Sequence, residues 1–338
     1  MIELKNLCNS FGPSGSEADV REMIKQDITP YATEVYTDKI GNLIAFKKGR
    51  SSEKKLMVAA HMDEVGFMIK YITDDGRLLF DTLGGIDVRV MAGRRVIISD
   101  KKVVGILSAK AIHMQTKEER EKTTPINKMY INIGVESREE AEKYVSIGDV
   151  AVFEPNFEQF GDGMIKSKAI DDRFGCSVLC KLIRKEVEYD TYFTFTTREE
   201  IGCRGATPVA YQIKPDVSIV VEATTAGDIN DAPKHAQACC VGSGAVLVFM
   251  DGGTIYDRKL FDLTIETAKK NEIKYQIKNF IAGGTDSSAI QRAVAGIKVI
   301  GLAAPCRYIH SASCVVKESD LEDVYKLALA LITSDTLK

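Results

Sequence analysis

The chain has 338 residues, 45% of them apolar and 28% charged, with a formal net charge of -3. That length suits one large domain or two medium ones, and the composition is that of an ordinary globular protein. The slight negative charge, with no arginine-rich or aromatic-interleaved tract, argues against a surface built for nucleic acid. The first residues, MIELKNLCNSFGPSGSE, lack the unbroken hydrophobic stretch of a signal peptide. No apolar run reaches the roughly 20 residues of a membrane-spanning helix. Eight cysteines without a CxxC pair read as reduced thiols packed as small hydrophobes, so the expected location is cytoplasmic.

In chain order, LMVAAH (56–61) is the first continuous apolar run of strand length. From 67 to 163 the texture changes: GRLLF, RRVIIS, KVVGILSA, MYINIG and DVAVFEP are short strand-like pieces between Gly-containing turns, interrupted by one brief helical piece near SREEAEKY. Closely spaced strands of this kind predict a small all-β, barrel-like domain. Afterwards a helical pattern at 172–186 alternates with strand runs at 191–197, 217–222, 245–250 and 297–303, and further helical patterns fall at 256–271, 286–295 and 319–334. Continuous apolar strands suit a sheet covered on both faces. The predicted fold is therefore α/β, a mostly parallel mixed sheet sandwiched by helices. The α/β domain is expected to be discontinuous (1–66 and 164–338), with the inserted β domain spanning 67–163.

Clusters of His, Asp and Glu sit at the predicted strand ends, where open α/β sheets gather their ligands. His61 and Asp63 in AAHMDEVG are either a metal ligand with the carboxylate that orients it or a solvated strand end. Asp171 and Asp172 in SKAIDDRFG precede a helical pattern, where capping is the ordinary explanation. In TTREEIGCRGA, Glu199 and Glu200 point in different directions. They read either as a solvated turn or as a general base (Glu199) beside a ligand (Glu200). Glu222 follows apolar SIVV directly, and a carboxylate buried there is costly unless paired or metal-bound. His310 follows a Pro-containing loop. Jointly these residues supply imidazole and carboxylate donors suited to Zn²⁺, Co²⁺ or Mn²⁺. The natural partition places His61 and Glu222 on one ion, Glu200 and His310 on the other, and Asp171 on both. Two ions about 3.5–4 Å apart can activate a shared bridging water. Gly284, Thr285 and Asp286 in GGTD are candidates for substrate contact through close backbone approach, or else simply a helix start.

In AHMDEVG, LGGID, KAIHMQTKEER, INIGVESREEAEKYVSIGD, KAIDDRFG, TTREEIGCRGA, AGD and GGTDSSAIQ, the chain resembles the tetrahedral and glutamyl-type aminopeptidases among the co-catalytic dinuclear metallopeptidases. The resemblance runs through the inserted domain. It implies His61, Asp171, Glu200, Glu222 and His310 as metal ligands, with Asp171 bridging and Glu199 as the base. It also implies that Asp63 orients His61 and that the Asp171–Asp172 peptide is cis. The expected partners are peptides with a free N-terminus and further copies of the chain, commonly assembled as a dodecamer through the inserted domain. One departure stands out: the family position matched by Glu222 is more often Asp. The rival readings are a related dinuclear carboxypeptidase or deacylase, a glycan endohydrolase and an inactive metal-binding scaffold.

Overall fold

The computed structural model describes residues 2–281 and 283–337. Its centre is an eight-stranded sheet in the order Glu34–Thr37, Leu43–Lys47, Tyr189–Thr196, Ser51–His61, Val217–Thr225, Lys298–Cys306, Ala245–Val248, Tyr275–Ile277. The four middle strands, from Tyr189–Thr196 to Lys298–Cys306, are mutually parallel. Leu43–Lys47 and Ala245–Val248 join them antiparallel on either side. Both faces of the middle strands are covered, which is why their sequences are almost continuously apolar. Helices Leu4–Asn9, Ala18–Ile28, Ile170–Leu182, Arg258–Lys270 and Glu318–Thr333 pack one face through a core that includes Leu7, Ile24, Leu179, Phe261 and Leu327. Helices Ala206–Ile213 and Asp286–Gln291 cover the other through Val209, Ile213 and Ile290.

The chain leaves the central sheet at His61 and enters a closed six-stranded antiparallel barrel at Gly66. Its strands are Gly66–Ile72, Leu78–Leu83, Arg95–Ile98, Val103–Ser108, Tyr130–Asn132 and Val150–Phe153. Alternate inward residues fill its interior, where Phe67 meets Phe80 and Phe153 edge-on at centroid distances of 5.2 and 5.3 Å. The return path is a hairpin, Glu158–Phe160 with Met164–Ser167, whose second strand pairs with Cys314–Lys317. The expected domain boundary between 163 and 164 falls inside this hairpin.

Some elements differ from expectation. The expected helix near SREEAEKY is the short Arg138–Ala141, capped by Ser137, and a second helix, Lys117–Arg120, also interrupts the barrel. That helix is fixed by a capping box between Thr116 and Glu119 rather than by an apolar stripe, so periodicity could not show it. The pattern at 286–295 is helical only to Gln291; Val294 and Gly296 take positive φ and end it. Among the described residues no helix is long and apolar enough to cross a membrane. All eight cysteines are free thiols, most of them buried.

Candidate metal centre

His61 is the last residue of its strand, and Met62 and Asp63 follow it without regular structure. His61 Nδ1 lies 3.1 Å from the Asp63 carbonyl and 3.4 Å from Asp63 Oδ1. Asp63 is fully buried and does more than face the ring. Its Oδ2 accepts hydrogen bonds from Ser14 Oγ at 2.5 Å and from the Glu200 amide at 3.2 Å. Its Oδ1 accepts from the Glu199 amide at 3.0 Å. One carboxylate thus holds both the imidazole and the backbone of the glutamate pair.

The other imidazole face meets the remaining acids. His61 Nε2 lies 3.2 Å from Asp171 Oδ1, 3.6 Å from Glu222 Oε2 and 3.9 Å from Glu199 Oε2. On the opposite side of Asp171, its Oδ2 lies 3.2 Å from His310 Nε2, which is also 3.2 Å from Glu200 Oε2. The two oxygens of Asp171 therefore face two different imidazoles. Asp171 and Asp172 have non-helical backbone angles at the start of Ile170–Leu182, and the peptide bond between them is cis. Asp172 accepts hydrogen bonds from the amides of His61 and Gly175. Glu222 lies within its strand, which continues to Thr225.

Buried acid outweighs buried base in this pocket, and the protonation equilibria respond. Burial, reinforced by Asp286, Asp171 and Asp63 and opposed by His61, pushes the Glu199 carboxyl up to about 8. Burial and neighbouring carboxylates likewise raise Glu200 and Glu222 well above the usual range. Burial alone would depress His61, but Glu222, Asp171, Asp63 and Glu199 together hold its pKa well above the ordinary imidazole value. Glu200 Oε1 and Glu222 Oε1 are buried with no hydrogen-bond partner among the described residues. Buried carboxylate oxygens without a partner are costly, and divalent cations are what such a donor set accommodates. The atoms of His61, Asp171 and Glu200, and those of His61, Asp172 and Glu222, cluster closely enough to share an ion. The residues present fit bound metal.

The sequence profile described as "M42 glutamyl aminopeptidase" matches residues 41–327. The chain belongs to the M42 glutamyl aminopeptidase family. It is 40% identical over 331 residues to a putative aminopeptidase of Acetivibrio thermocellus, covering 97% of each chain. A TET aminopeptidase from a marine sediment archaeon of the Thaumarchaeota superposes with a TM-score of 0.95 at 35% identity, over 98% of this chain and 95% of that one. The TET1 peptidase of Pyrococcus horikoshii, which can assemble into a tetrahedron or a large octahedral shell, superposes with a TM-score of 0.86 at 33% identity over 98% of both chains.

Within this M42 fold several residues around the pocket gave no sequence signal. Arg173 is fully buried: its Nε donates to the Met62 carbonyl at 2.7 Å, Nη1 to the Leu7 carbonyl, and Nη2 to Glu64 Oε1 at 3.2 Å. Buried Lys168 donates to both oxygens of Glu64 at 2.7 Å. This cluster ties the N-terminal segment to Met62 and Glu64 after the His61 strand. Cys203, expected as an ordinary packed thiol, donates to Glu199 Oε1 at 3.4 Å. In GGTD, Thr285 caps the helix Asp286–Gln291. Gly284 is exposed. Asp286 is buried, takes a hydrogen bond from Thr196 and clusters with Glu199 and Cys203.

Proposed function

We propose that this chain is a metal-dependent aminopeptidase holding two divalent ions, of the class Zn²⁺, Co²⁺ or Mn²⁺. His61 and Glu222 hold one ion, Glu200 and His310 the other, and Asp171 both. The observation that carries this reading is the two-sided placement of Asp171, each oxygen 3.2 Å from a different imidazole. Cations bound there would polarise the scissile carbonyl and lower the pKa of the attacking water. Glu199 faces the same pocket with a raised affinity for a proton. It accepts one from the attacking water and returns it to the leaving amine. Asp63 keeps the His61 ring oriented and the Glu199–Glu200 backbone in register. Glu222 carries one methylene more than Asp, and its strand position inside Val217–Thr225 supports its reach to within 3.6 Å of His61 Nε2. The substrates are peptides with a free N-terminus. The chain works in the cytoplasm as a homo-oligomer, a dodecamer in the manner of the tetrahedral relatives, joined through residues 67–163.

The test is removal of metal. Protein dialysed against a chelator should lose hydrolysis of aminoacyl-nitroanilides and recover it with Zn²⁺, Co²⁺ or Mn²⁺, and N-acetylated substrates should resist throughout. Full activity in protein shown by elemental analysis to be metal-free would refute the reading, as it would suit a glycan hydrolase. Cleavage of the acetylated substrate would favour a deacylase.

A further inference from the structure

The carboxylate of Glu200 and the ring of His310 are also held from a direction that the strand-end motifs do not supply. The barrel strand Leu78–Leu83 runs into Gly84 and Gly85. Gly84 has φ +87, and a Cβ built on it would stand 2.8 Å from Val65 Cγ1 and 3.2 Å from both Cβ and Oε2 of Glu200. Oε2 is the oxygen that lies 3.2 Å from His310 Nε2. The next residue works on the imidazole: the Gly85 carbonyl lies 2.9 Å from His310 Nδ1 and accepts a hydrogen bond from its N–H, which leaves Nε2 facing Asp171 and Glu200 as the ligand nitrogen. His310 sits on an irregular stretch with φ 58, between Cys306 and Cys314. Just past the barrel, Asn156 Nδ2 donates to the Ala312 carbonyl of the same stretch. Two groups of the insertion, one following the strand Leu78–Leu83 and one following Val150–Phe153, therefore fix where His310 stands.

We propose that the Gly84–Gly85 turn of the barrel is a positioning element for the Glu200–His310 ion. The bare Cα of Gly84 seats Glu200 Oε2, and the Gly85 carbonyl fixes His310 as an Nε2 donor. The inserted barrel thus completes one half of the metal centre within its own chain. The His61–Glu222 half takes its own two ligands from strands of the central sheet. This rests on the two-ion reading above.

The test titrates Zn²⁺ calorimetrically into chelator-stripped, full-length protein. Gly84→Ala adds a methyl against Val65 and Glu200, so Val65→Ala is combined with it to relieve the first contact and leave the second. Gly93 serves as the control, because it lies in the same barrel at φ +80 with nothing within 4 Å of an added Cβ. The double variant should bind its first Zn²⁺ as the wild type does and its second about 10–100-fold more weakly, the usual effect of disturbing groups that orient a ligand. Val65→Ala and Gly93→Ala should bind both normally. Wild-type affinities in the double variant, or an equal loss in Gly93→Ala, would overturn the proposal. A wild type that takes up a single ion would instead sink the two-ion reading itself. Independently of any variant's folding, histidine ¹⁵N shifts of the zinc-loaded wild type must show His310 protonated on Nδ1; protonation on Nε2 overturns the assignment.

Discussion

Glu199 and Glu200 are neighbours in the chain, yet their carboxylates meet different imidazoles, Glu199 at 3.9 Å from His61 and Glu200 at 3.2 Å from His310. That divergence would let one residue bind an ion while the other moves protons, as proposed above. Glu199→Gln keeps the shape and removes the basicity. It should leave two ions per chain by elemental analysis and lower kcat by about 10²–10⁴, the usual contribution of a positioned general base. Near-normal turnover in the two-ion variant would remove Glu199 from that role. The acids and imidazoles that meet in this pocket were legible in the sequence because most stand where a strand or helix begins or ends. There a charged group sits beside apolar residues without an obvious reason to be buried. Glu64, Lys168 and Arg173 were not legible. Each looks like a solvated charge next to a motif, and what buries them is the N-terminal segment whose carbonyls at Leu7, Ser10 and Gly12 accept from Arg173 and Lys168. Only tertiary structure brings that segment over them.

The loop after Tyr189–Thr196, which carries both glutamates, is irregular and needs clamps at its base. Asp63 provides one. Asn42, fully buried, provides another: its Nδ2 donates to the Gly205 carbonyl at 2.9 Å and to Asp38 Oδ2 at 2.7 Å, while its Oδ1 accepts from the Thr197 amide at 3.0 Å. Gly205 is obligatory beside it, since a Cβ there would lie 2.3 Å from Asn42 Oδ1 and 2.5 Å from the Thr197 carbonyl. Asn42→Ala leaves the Thr197 amide and the Gly205 carbonyl without this partner, at roughly 1–3 kcal/mol for each buried group left unpaired. The denaturation midpoint of the variant should fall accordingly; an unchanged midpoint would show that the loop does not depend on this clamp. Asn42 lies in GNLIAF, which reads simply as a turn entering a strand. At this scale the four middle strands and the helices Ile170–Leu182, Arg258–Lys270 and Glu318–Thr333 were readable from run length and period, whereas Ala18–Ile28 was not. Whether a neighbouring strand runs parallel or antiparallel was not, because Leu43–Lys47 and Ala245–Val248 are as apolar as the parallel strands beside them. The helix Ala206–Ile213 was equally hidden: eight residues containing Pro208 give too short a period to stand out.

For the whole molecule, strand spacing and turn residues separated an all-β insertion from an α/β frame, but no pattern in the sequence could show that the insertion reaches back to His310. Nor could it show which barrel surface is left uncovered. The structure exposes Ile112 and Met114 at 70% and 66% in the 3₁₀ turn Ile112–Met114, and Val104 and Ile106 on the nearby strand Val103–Ser108 are also exposed. Apolar side chains this exposed on an inserted domain are what a buried contact between copies would use. Replacing both Ile112 and Met114 by Asp adds charge where such a contact would exclude water, and so disfavours association strongly. Both residues lie outside the cluster of metal-binding candidates, so the variant should still bind two ions per chain. In sedimentation velocity the wild type should therefore run as a large assembly and the double variant as smaller species with unchanged metal content. A variant that sediments with the wild type would place the contact elsewhere on the barrel surface, and a variant that loses metal as well as size would mean that assembly and the metal centre depend on each other.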